Sequence, residues 1–594
     1  MSLKSSSSIS SQEQHHQQQQ QQEEAAPLMG SSSTRMWTQF KDSFKPPLET
    51  SPNSFDPTNS NVNTKDQSQL TDIEKAAINS SSTAMKQDLT LRHLMMIAIG
   101  GSVGTGLFVN SGSALSAGGP AALVISWCII GTMMFATAVA LGELCVTFPV
   151  TGGFTTYATR FIDPSFGFAM GWNYALQWLI LLPLELVAAA ITIKYWRDDI
   201  NSDVWVAVFF AFIFVLNMLD VKYYAESEVI LSVTKIVAIV GFFILGIVLI
   251  CGGAPNGQGY IGAKYWYHPG AFSNGFKGVC SVFVTAAFSF AGTELIGMSA
   301  AETSNPRETI PRAVKQTFWL VTCFYLVTLT LIGCLVPYND ERLLNGSSYA
   351  SVSPFVIAIQ NAGISGLPSV MNVVILIAIL SVANSSVYAS SRVLASLADI
   401  GHAPSFLSYV DRTGRPLYAT FVTLFIGLLS FIAAYEKEDE VFLWLSALSG
   451  LSTIFAWLSI CISHVRFRRA LKVQGRNTDE LTYVAKGGVW VSSYGIVLNF
   501  LVLIGQFWVA LFPRSEADAK SFFEVYLSLA IFVAFYVAHK VWKRNWILFI
   551  RAKDMDIDTG RKIVDMDLLK EEILSEKLRM AEMPFYKRFF HTWC

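Results

Sequence analysis

The sequence predicts an all-α polytopic membrane protein with twelve transmembrane helices. Segments of about 20 nearly uncharged apolar residues, the length that a helix needs to cross a bilayer, recur between residues 93 and 543. Charged residues make up only 15% of the 594-residue chain, and its mean hydropathy is +0.42. Because soluble proteins carry about 25% charged residues, this chain has too few charges to cover a water-exposed surface.

The individual spans follow the uncharged apolar runs. Their predicted bounds are residues 92–111, 121–147, 166–193, 204–221, 228–251, 279–300, 316–336, 369–398, 417–434, 441–464, 489–512 and 522–543. An even number of spans places both termini on one side of the membrane. Since the loops on that side carry more Lys and Arg than the opposite loops, the positive-inside rule predicts that both termini are cytosolic. The sequon that begins at Asn345 then lies outside and is a predicted glycosylation site.

Residues 1–90 differ in composition from the spans. They contain Ser runs and an unbroken Gln run from Gln17 to Gln22, without an apolar period, so we predict a disordered cytosolic regulatory tail. Its lysines are candidate attachment sites for ubiquitin, which would require a ubiquitin ligase and an adaptor as partners. These lysines are Lys4, Lys41, Lys45, Lys65, Lys75 and Lys86. The alternative is that the tail is only a solvated tether.

Residues 544–594 form a second predicted cytosolic tail. Apolar residues recur at helical spacing between Asp565 and Ala581, with glutamates among them, which predicts an amphipathic helix. The chain ends with Cys594 close behind Phe589 and Phe590. Aromatic residues beside a cysteine suit a membrane interface, so Cys594 is a candidate palmitoylation site.

Several function classes are excluded by composition and spacing. The formal net charge is −1, which gives no electrostatic reason to expect nucleic-acid binding. The eight cysteines have no metal-ligand spacing. No nucleophile–base pair or phosphate-binding loop is evident, so we predict neither an enzyme, nor a cofactor, nor a metal site.

Two spans contain glycine interruptions. Span 1 carries Gly100, Gly101, Gly104 and Gly106 within seven residues, and each glycine disfavours helix by about 1 kcal/mol relative to alanine. Span 6 carries a weaker interruption at Gly292. Unwound backbone is tolerated in a membrane only where it lines a cavity or packs on protein. The alternative is that these glycines only allow close helix packing.

The positions of the two interruptions favour a binding site. Spans 1 and 6 each begin a block of five helices, and the two blocks start on opposite sides of the membrane. Broken helices at matching positions predict a 5+5 inverted repeat, with a ligand site at mid-membrane and spans 11 and 12 added. Residues 91–543 are therefore predicted to form a transporter domain.

The broken helices also indicate the kind of ligand. A half-helix that begins near Gly104 directs free N–H groups and the positive end of its dipole into the membrane, which favours a carboxylate. A half-helix that ends near Ala291 presents free carbonyl groups, which favour an ammonium group. An anion site next to a cation site fits the two ends of an α-amino acid.

Ionisable residues inside the predicted spans are functional candidates, because a charge there is costly. Lys235 lies deep in span 5, and Glu294 follows the interruption in span 6. Glu185 lies in span 3. A desolvated carboxylate such as Glu294 can take up a proton. Glu143 and Arg392 lie near the inner ends of their spans, where snorkelling or pairing at the interface is the favoured interpretation.

The stretches Arg92 to Gly101 and Pro149 to Asp163 resemble the amino acid–polyamine–organocation superfamily. Within it the chain is most similar to the yeast amino acid transporter family and its general amino acid permeases. The resemblance implies proton symport of L-amino acids across the plasma membrane with broad specificity, and endosomal or vacuolar trafficking under regulation. It implies a role in proton coupling for Lys235, which stands where sodium-coupled relatives hold sodium, and substrate binding by Ile99, Ser102, Gly104, Thr105 and Ser289. From the position of the breaks we add Gly106, Ala291 and Glu294 to the predicted substrate-binding residues, and Glu294 to the predicted proton-coupling residues.

Two other functions remain compatible with the sequence. One is a permease of narrower specificity, for example for basic amino acids. The other is an amino acid sensor on the same scaffold that does not transport. Such sensors carry a much longer N-terminal tail than the 90 residues predicted here, which favours a transporter.

Overall fold

A computed structural model gives the fold. It describes residues 38, 41–46, 71–79, 85–150, 152–197, 199–257, 259–344, 353–433, 438–512, 519–561 and 584. The predicted amphipathic helix at 565–581, Asn345, Lys4, Lys65 and Cys594 lie outside the described residues.

The described residues are organised as α-helices joined by turns and loops. In chain order they are α1 Asp72–Asn79, α2 Leu91–Ser102, α3 Thr105–Phe108, α4 Asn110–Thr147, α5 Phe154–Phe161, α6 Pro164–Ile193, α7 Ser202–Asn217, α8 Val221–Ile250, α9 Lys264–Tyr267, α10 Gly275–Phe290, α11 Leu295–Met298, α12 Pro306–Leu335, α13 Glu341–Leu344, α14 Pro354–Asn361, α15 Leu367–Asp399, α16 Leu417–Gly427, α17 Ser430–Ala433, α18 Glu438–Val473, α19 Gly488–Leu511 and α20 Ala519–Lys543. Short 3₁₀ turns occupy Ser299–Glu302, Ser405–Ser408 and Thr478–Glu480.

The predicted all-α membrane fold is confirmed. Among the described residues, nine helices are long and apolar enough to cross a membrane, and α7 and α16 are shorter apolar helices. The count of twelve spans stays a prediction. The boundary between predicted spans 1 and 2 lies at Gly119, whose φ of 84° and ψ of 171° interrupt the helix just before Pro120. The predicted loop at 112–120 is shorter than expected, because residues 110–118 are helical.

Helix α8 shows how the sequence separates protein from lipid. Its most exposed apolar side chains, Ile230, Val237 and Ile244, recur every seven residues and are 63–68% exposed. Two helical turns separate successive members, so they form one outward stripe. The opposite face is buried and contains Glu228 and Lys235. A helix with an apolar outer face and a charged inner face is what a membrane bundle around a polar centre requires.

The centre of the bundle is built around the first broken helix. Helix α2 packs against α8, α12 and α15. Around it, α15 lies along α6, while α10 and α12 pack against α4. The glycine-rich segment of span 1 therefore has protein on several sides, which is the setting in which unwound backbone is stable inside a membrane.

Part of the predicted disordered N-terminal tail is ordered. Residues Asp72–Asn79 form α1, whose Ala76 and Ala77 are 0% and 4% exposed. Before α1, the N–H of Thr71 donates to Glu74 Oε2 (2.8 Å), and the N–H of Glu74 approaches Thr71 Oγ1 (3.3 Å). This is a capping box. The prediction of disorder is wrong here, and the Thr-x-x-Glu spacing is the signal that would have located the helix.

A second tail segment, residues 41–46, also contacts the helical domain. The carbonyl of Lys45 accepts from the N–H of Arg412 (2.7 Å), and the carbonyl of Phe44 accepts from the hydroxyl of Tyr409 (2.9 Å). Lys41, Lys45 and Lys86 are exposed, whereas Lys75 on α1 is half-buried. These contacts join the N-terminal tail to the loop between α15 and α16.

Candidate functional site

The predicted break in span 1 is present. Helix α2 ends at Ser102, Val103 is extended, and α3 begins at Thr105 after Gly104, whose φ of −152° and ψ of −138° are not helical. The first N–H groups of α3 have no acceptor within their own helix. These residues are buried, so the N-terminal end of α3 lies inside the protein, where it favours a negative charge.

The predicted break in span 6 is also present. Helix α10 ends at Phe290, and α11 begins at Leu295. Between them Gly292 has a φ of +97°, a left-handed conformation that glycine adopts without a steric penalty. The last carbonyls of α10 have partners at the break: that of Ala287 accepts from the N–H of Ala291 (3.0 Å), and that of Phe290 accepts from the hydroxyl of Thr293 (2.8 Å). Free carbonyls for a substrate ammonium therefore stay a prediction.

The two breaks lie directly against each other. A β-carbon on Gly292 would lie 2.6 Å from the carbonyl carbon of Gly101, and one on Gly106 would lie 2.7 Å from the Cα of Ser289. The hydroxyl of Tyr325 joins both segments, 2.9 Å from the carbonyl oxygen of Ser102 and 2.7 Å from that of Ser289. The anion-favouring and cation-favouring backbone groups therefore share one small region.

The predicted substrate-binding groups already have partners in this conformation. The carbonyl of Ile99 accepts from the N–H of Val103 (2.9 Å), and the hydroxyl of Ser102 donates to the carbonyl of Ala98 (2.7 Å). A carbonyl oxygen has two lone pairs, so Ile99 retains capacity for a second donor. The assignment of individual atoms to a substrate stays a prediction.

Glu185 contacts the first break. Its Oε1 accepts from the hydroxyl of Thr105 (2.7 Å). The side chain is fully buried, and its Oε2 has no hydrogen-bond partner among the described residues. A buried carboxylate oxygen without a partner is costly, so Glu185 presents an unused acceptor beside the N-terminal end of α3.

Lys235 also contacts the first break. Its ammonium donates to the carbonyl of Gly100 and to the hydroxyl of Ser381, both at 2.8 Å, and the side chain is fully buried. The contact with Gly100 joins α8 to the backbone just before the unwound residues. A fixed cation at this point stabilises carbonyl groups that the break leaves without helical partners.

Sequence reasoning missed Glu228, the acidic partner in this region. Its Oε2 accepts from the hydroxyl of Ser381, and its Oε1 accepts from the amide of Asn384, both at 2.7 Å. Ser381 thereby links Glu228 to Lys235. The available signal was spacing, because residues seven apart on a helix lie on one face.

Glu294 lies at the second break, at the position that precedes α11. Its Oε1 accepts from the hydroxyl of Tyr174 (3.0 Å), and its Oε2 accepts from the N–H of Gly292 (3.1 Å). The ring nitrogen of Trp457 lies 3.5 Å from the same Oε2. A cavity of about 10 Å³ adjoins Glu294, which is room for roughly one water molecule. The carboxylate is held by donors and shielded from bulk solvent.

Glu143 and Arg392 each form an ion pair with a different residue, which agrees with the pairing considered for them from sequence. The Nε of Arg392 lies 2.8 Å from Oε1 of Glu302. The Nε of Arg468 lies 2.7 Å from Oε1 of Glu143. Both pairs are buried and tie inner helix ends together, so these charges support the bundle.

A wider cavity of about 370 Å³ lies away from the breaks, between α6, α18, α19 and α20. Its lining is aliphatic and aromatic, and includes Phe166, Phe455 and Phe532. None of the described residues that line it is charged, so it offers nothing that would neutralise a carboxylate or an ammonium. The smaller, polar region at the breaks is the better candidate site for an amino acid.

Comparison with known proteins adds to this geometry. A family model for amino acid permeases matches residues 93–552. The chain belongs to the amino acid permease family. The permease resembles the histidine permease of Saccharomyces cerevisiae, with 59% identity over 532 residues, which is 88% of each chain. It is 54% identical to an amino-acid permease of Candida albicans over 577 residues (96% of this chain and 93% of the relative). It is 53% identical to a general amino-acid permease of Saccharomyces cerevisiae over 574 residues (95% and 92%).

This membership confirms two predictions made from the sequence. The permease is a membrane transporter for amino acids and not an enzyme. The resemblance of the first span to yeast amino acid transporters is also confirmed. Some relatives have narrower names, including an S-adenosylmethionine permease of Candida albicans that is 48% identical over 544 residues (91% and 89%).

Gly106→Ala should abolish uptake through a local packing conflict. The new methyl group would lie 2.7 Å from the Cα of Ser289, and backbone cannot move aside as a side-chain end can. Overpacking of this kind costs about 1–3 kcal/mol. Relieving it would require the unwound segments of spans 1 and 6 to move apart. Gly241→Ala is the control, because no described atom lies within 4 Å of its added carbon. Uptake and surface expression are measured for both; normal uptake by Gly106→Ala would contradict the close approach.

Proposed function

We propose that the permease carries L-amino acids into the cell across the plasma membrane by proton symport, with broad specificity. The observation that supports this most is the ammonium of Lys235 at the carbonyl of Gly100, next to the unwound residues. A permanently held cation takes the place that a bound metal cation would need to stabilise the same carbonyls. A sodium ion would therefore have no free site at these carbonyls, whereas the nearby carboxylates can accept a proton.

The proposed substrate position follows from the same backbone. The substrate carboxylate binds the N-terminal end of α3, around Ser102, Gly104 and Thr105. The substrate ammonium binds carbonyl groups near Ile99 and Ser289. Binding of the ammonium beside Glu294 links substrate loading to the charge state of that carboxylate.

A narrower specificity is the second candidate. The relative with the histidine permease name shares 59% identity with this chain, which is higher than the 53% shared with a general amino-acid permease. A panel of labelled amino acids offered to cells lacking other permeases separates the two. Comparable uptake of acidic, basic and neutral amino acids supports broad specificity, whereas uptake of one class alone supports the narrower function.

Proton coupling has its own test in the same cells. Uptake should fall as the external medium is changed from mildly acidic to mildly alkaline, because the inward proton gradient is lost. Replacing sodium by choline at constant pH should leave uptake unchanged. A strict requirement for sodium, with no response to pH, would contradict the proposal.

We propose that the exposed tail lysines Lys41, Lys45 and Lys86 control the lifetime of the permease at the surface through ubiquitin attachment. Exposed residues near chain ends are accessible to modifying enzymes. Replacing the three by arginine should leave uptake per surface molecule unchanged and slow removal when amino acids are in excess. Lys75→Arg is the comparison, because Lys75 is half-buried. Equally fast removal of the triple variant would show that these lysines are not the signal.

A further inference from the structure

Three residues from distant parts of the chain meet at one end of the helical bundle. Asp72 begins α1 in the N-terminal tail, His402 follows α15, and His539 lies near the end of α20. The Nε2 atoms of His402 and His539 each lie 3.8 Å from Oδ2 of Asp72. One candidate ligand atom from each residue lies within 4.8 Å of the other two.

These distances suit ligands of a common ion better than hydrogen bonds. A separation of 3.8 Å is too long for a hydrogen bond. Nitrogen and oxygen ligands lie ~2.0–2.2 Å from zinc, so in a tetrahedral site they are roughly 3.3–3.6 Å apart. A contraction of a few tenths of an ångström would bring both histidine nitrogens to that spacing from Asp72.

Three imidazole nitrogens in this cluster lack a partner among the described residues. The side chain of His402 is 0% exposed, and neither of its ring nitrogens has a hydrogen-bond partner there. The side chain of His539 is 1% exposed, and its Nε2 also has none. Buried polar atoms are almost always satisfied, so two unsatisfied Nε2 atoms facing the same oxygen of Asp72 indicate a missing ligand.

Neighbouring side chains orient His539 toward Asp72 and pack against both imidazole rings. The Nδ1 of His539 lies 3.0 Å from the hydroxyl of Ser165. With the proton on Nδ1, His539 donates to Ser165 and directs the lone pair of Nε2 into the cluster. A ligating histidine normally has such an outer partner. The ring of Phe168 stacks on His539, with centroids 4.5 Å apart, and meets the edge of His402 at 5.5 Å.

Two lysines lie near the cluster, and one of them is paired with Asp72 itself. Lys543 lies 2.9 Å from Oδ1 of Asp72, which leaves Oδ2 for the histidines. Lys540 is paired with Asp163 at 2.9 Å. Lys543 is one-third exposed, so its ammonium can turn toward solvent when a cation binds.

We propose that Asp72, His402 and His539 form a binding site for a divalent transition-metal ion, with zinc favoured. Two imidazoles and one carboxylate are a donor set that zinc prefers, and three protein ligands leave a fourth position for water. The bound ion would fasten α1 of the tail to the end of α20 and to the turn after α15. Helix α15 also carries Ser381 and Asn384, which contact Lys235 and Glu228, so the site adjoins a helix of the transport region.

The test is zinc binding by the purified full-length permease in detergent. The protein is stripped with a chelator, and Zn²⁺ is then titrated against a chromophoric competitor. We expect one tight equivalent for the wild type, and its loss in His402→Ala and His539→Ala. His268→Ala is the matched control, because His268 is exposed and lies outside the cluster, and it should bind as the wild type does. Size-exclusion profiles establish that each variant is folded.

Two further measurements keep the proposal open to contradiction if an alanine variant misfolds. Asp72→Asn keeps the size of the side chain and should weaken binding without unfolding the bundle. Zn²⁺ should also slow tryptic cleavage at Lys75 on α1 in the wild type but not in Asp72→Asn. A wild-type protein that binds no more Zn²⁺ than Asp72→Asn, or a His268→Ala variant that loses the same equivalent, would overturn the proposal.

Discussion

Lys235→Met should abolish accumulation of amino acids. The substitution keeps the length of the side chain and removes the ammonium that donates to the carbonyl of Gly100 and to Ser381. It also removes the cation that Ser381 links to the buried Glu228, and a buried carboxylate without a compensating charge is destabilising. Accumulation of a labelled amino acid and the amount of permease at the surface are measured together.

A second substitution separates stability from coupling. Lys235→Met combined with Glu228→Gln removes both charges, while the glutamine can still bond to Ser381 and Asn384. We expect the double variant to regain surface expression and thermal stability but not accumulation. If the double variant accumulates substrate normally, Lys235 serves only to balance Glu228, and the proposed role in coupling is wrong.

Glu294→Gln should abolish accumulation against a gradient while the permease still reaches the surface. Glutamine keeps the shape of the side chain, and its amide oxygen can still accept from Tyr174 or from the N–H of Gly292, which both now bond to the carboxylate. It cannot exchange a proton. If Glu294 couples protons to substrate, the variant should at most equilibrate substrate across the membrane, and its residual uptake should not depend on external pH.

Glu294→Ala is the comparison for a structural role. Alanine removes the acceptor and leaves the Tyr174 hydroxyl and the Gly292 N–H without it, which costs about 1–3 kcal/mol per buried unsatisfied group. A purely structural Glu294 therefore predicts transport by Glu294→Gln and misfolding of Glu294→Ala. Accumulation by Glu294→Gln with the pH dependence of the wild type would exclude the coupling role.

The parts of the permease that were predictable from sequence depend on local chemistry. Hydropathy located the helices, because a bilayer imposes length and polarity on each span separately. The glycines of span 1 and Gly292 located the breaks, because backbone preference is a local property. The charged positions Lys235 and Glu294 were identifiable because a charge within an apolar run is costly in a membrane and is rarely present without a role.

What was missed depends on contacts between distant residues. Glu228 lies at the predicted edge of span 5, where a carboxylate is unremarkable until Ser381 and Asn384 are known to approach it. Asp72, His402 and His539 share no spacing, because each comes from a different element. Helix α1 was overlooked for another reason. Its Thr-x-x-Glu capping pattern is local, but it lies in a Ser-rich tail whose overall composition indicated disorder.

The hydroxyl of Tyr325 lies between the carbonyl oxygens of Ser102 and Ser289. A hydroxyl has one hydrogen, so it can donate fully to only one of the two oxygens at a time. The other buried oxygen then retains a lone pair that can accept another donor. A substrate ammonium carries three hydrogens and could serve both acceptors together. Tyr325 thus holds the two breaks together through one hydrogen. A bound substrate would replace this hydroxyl bridge by separate hydrogen bonds to both carbonyl oxygens.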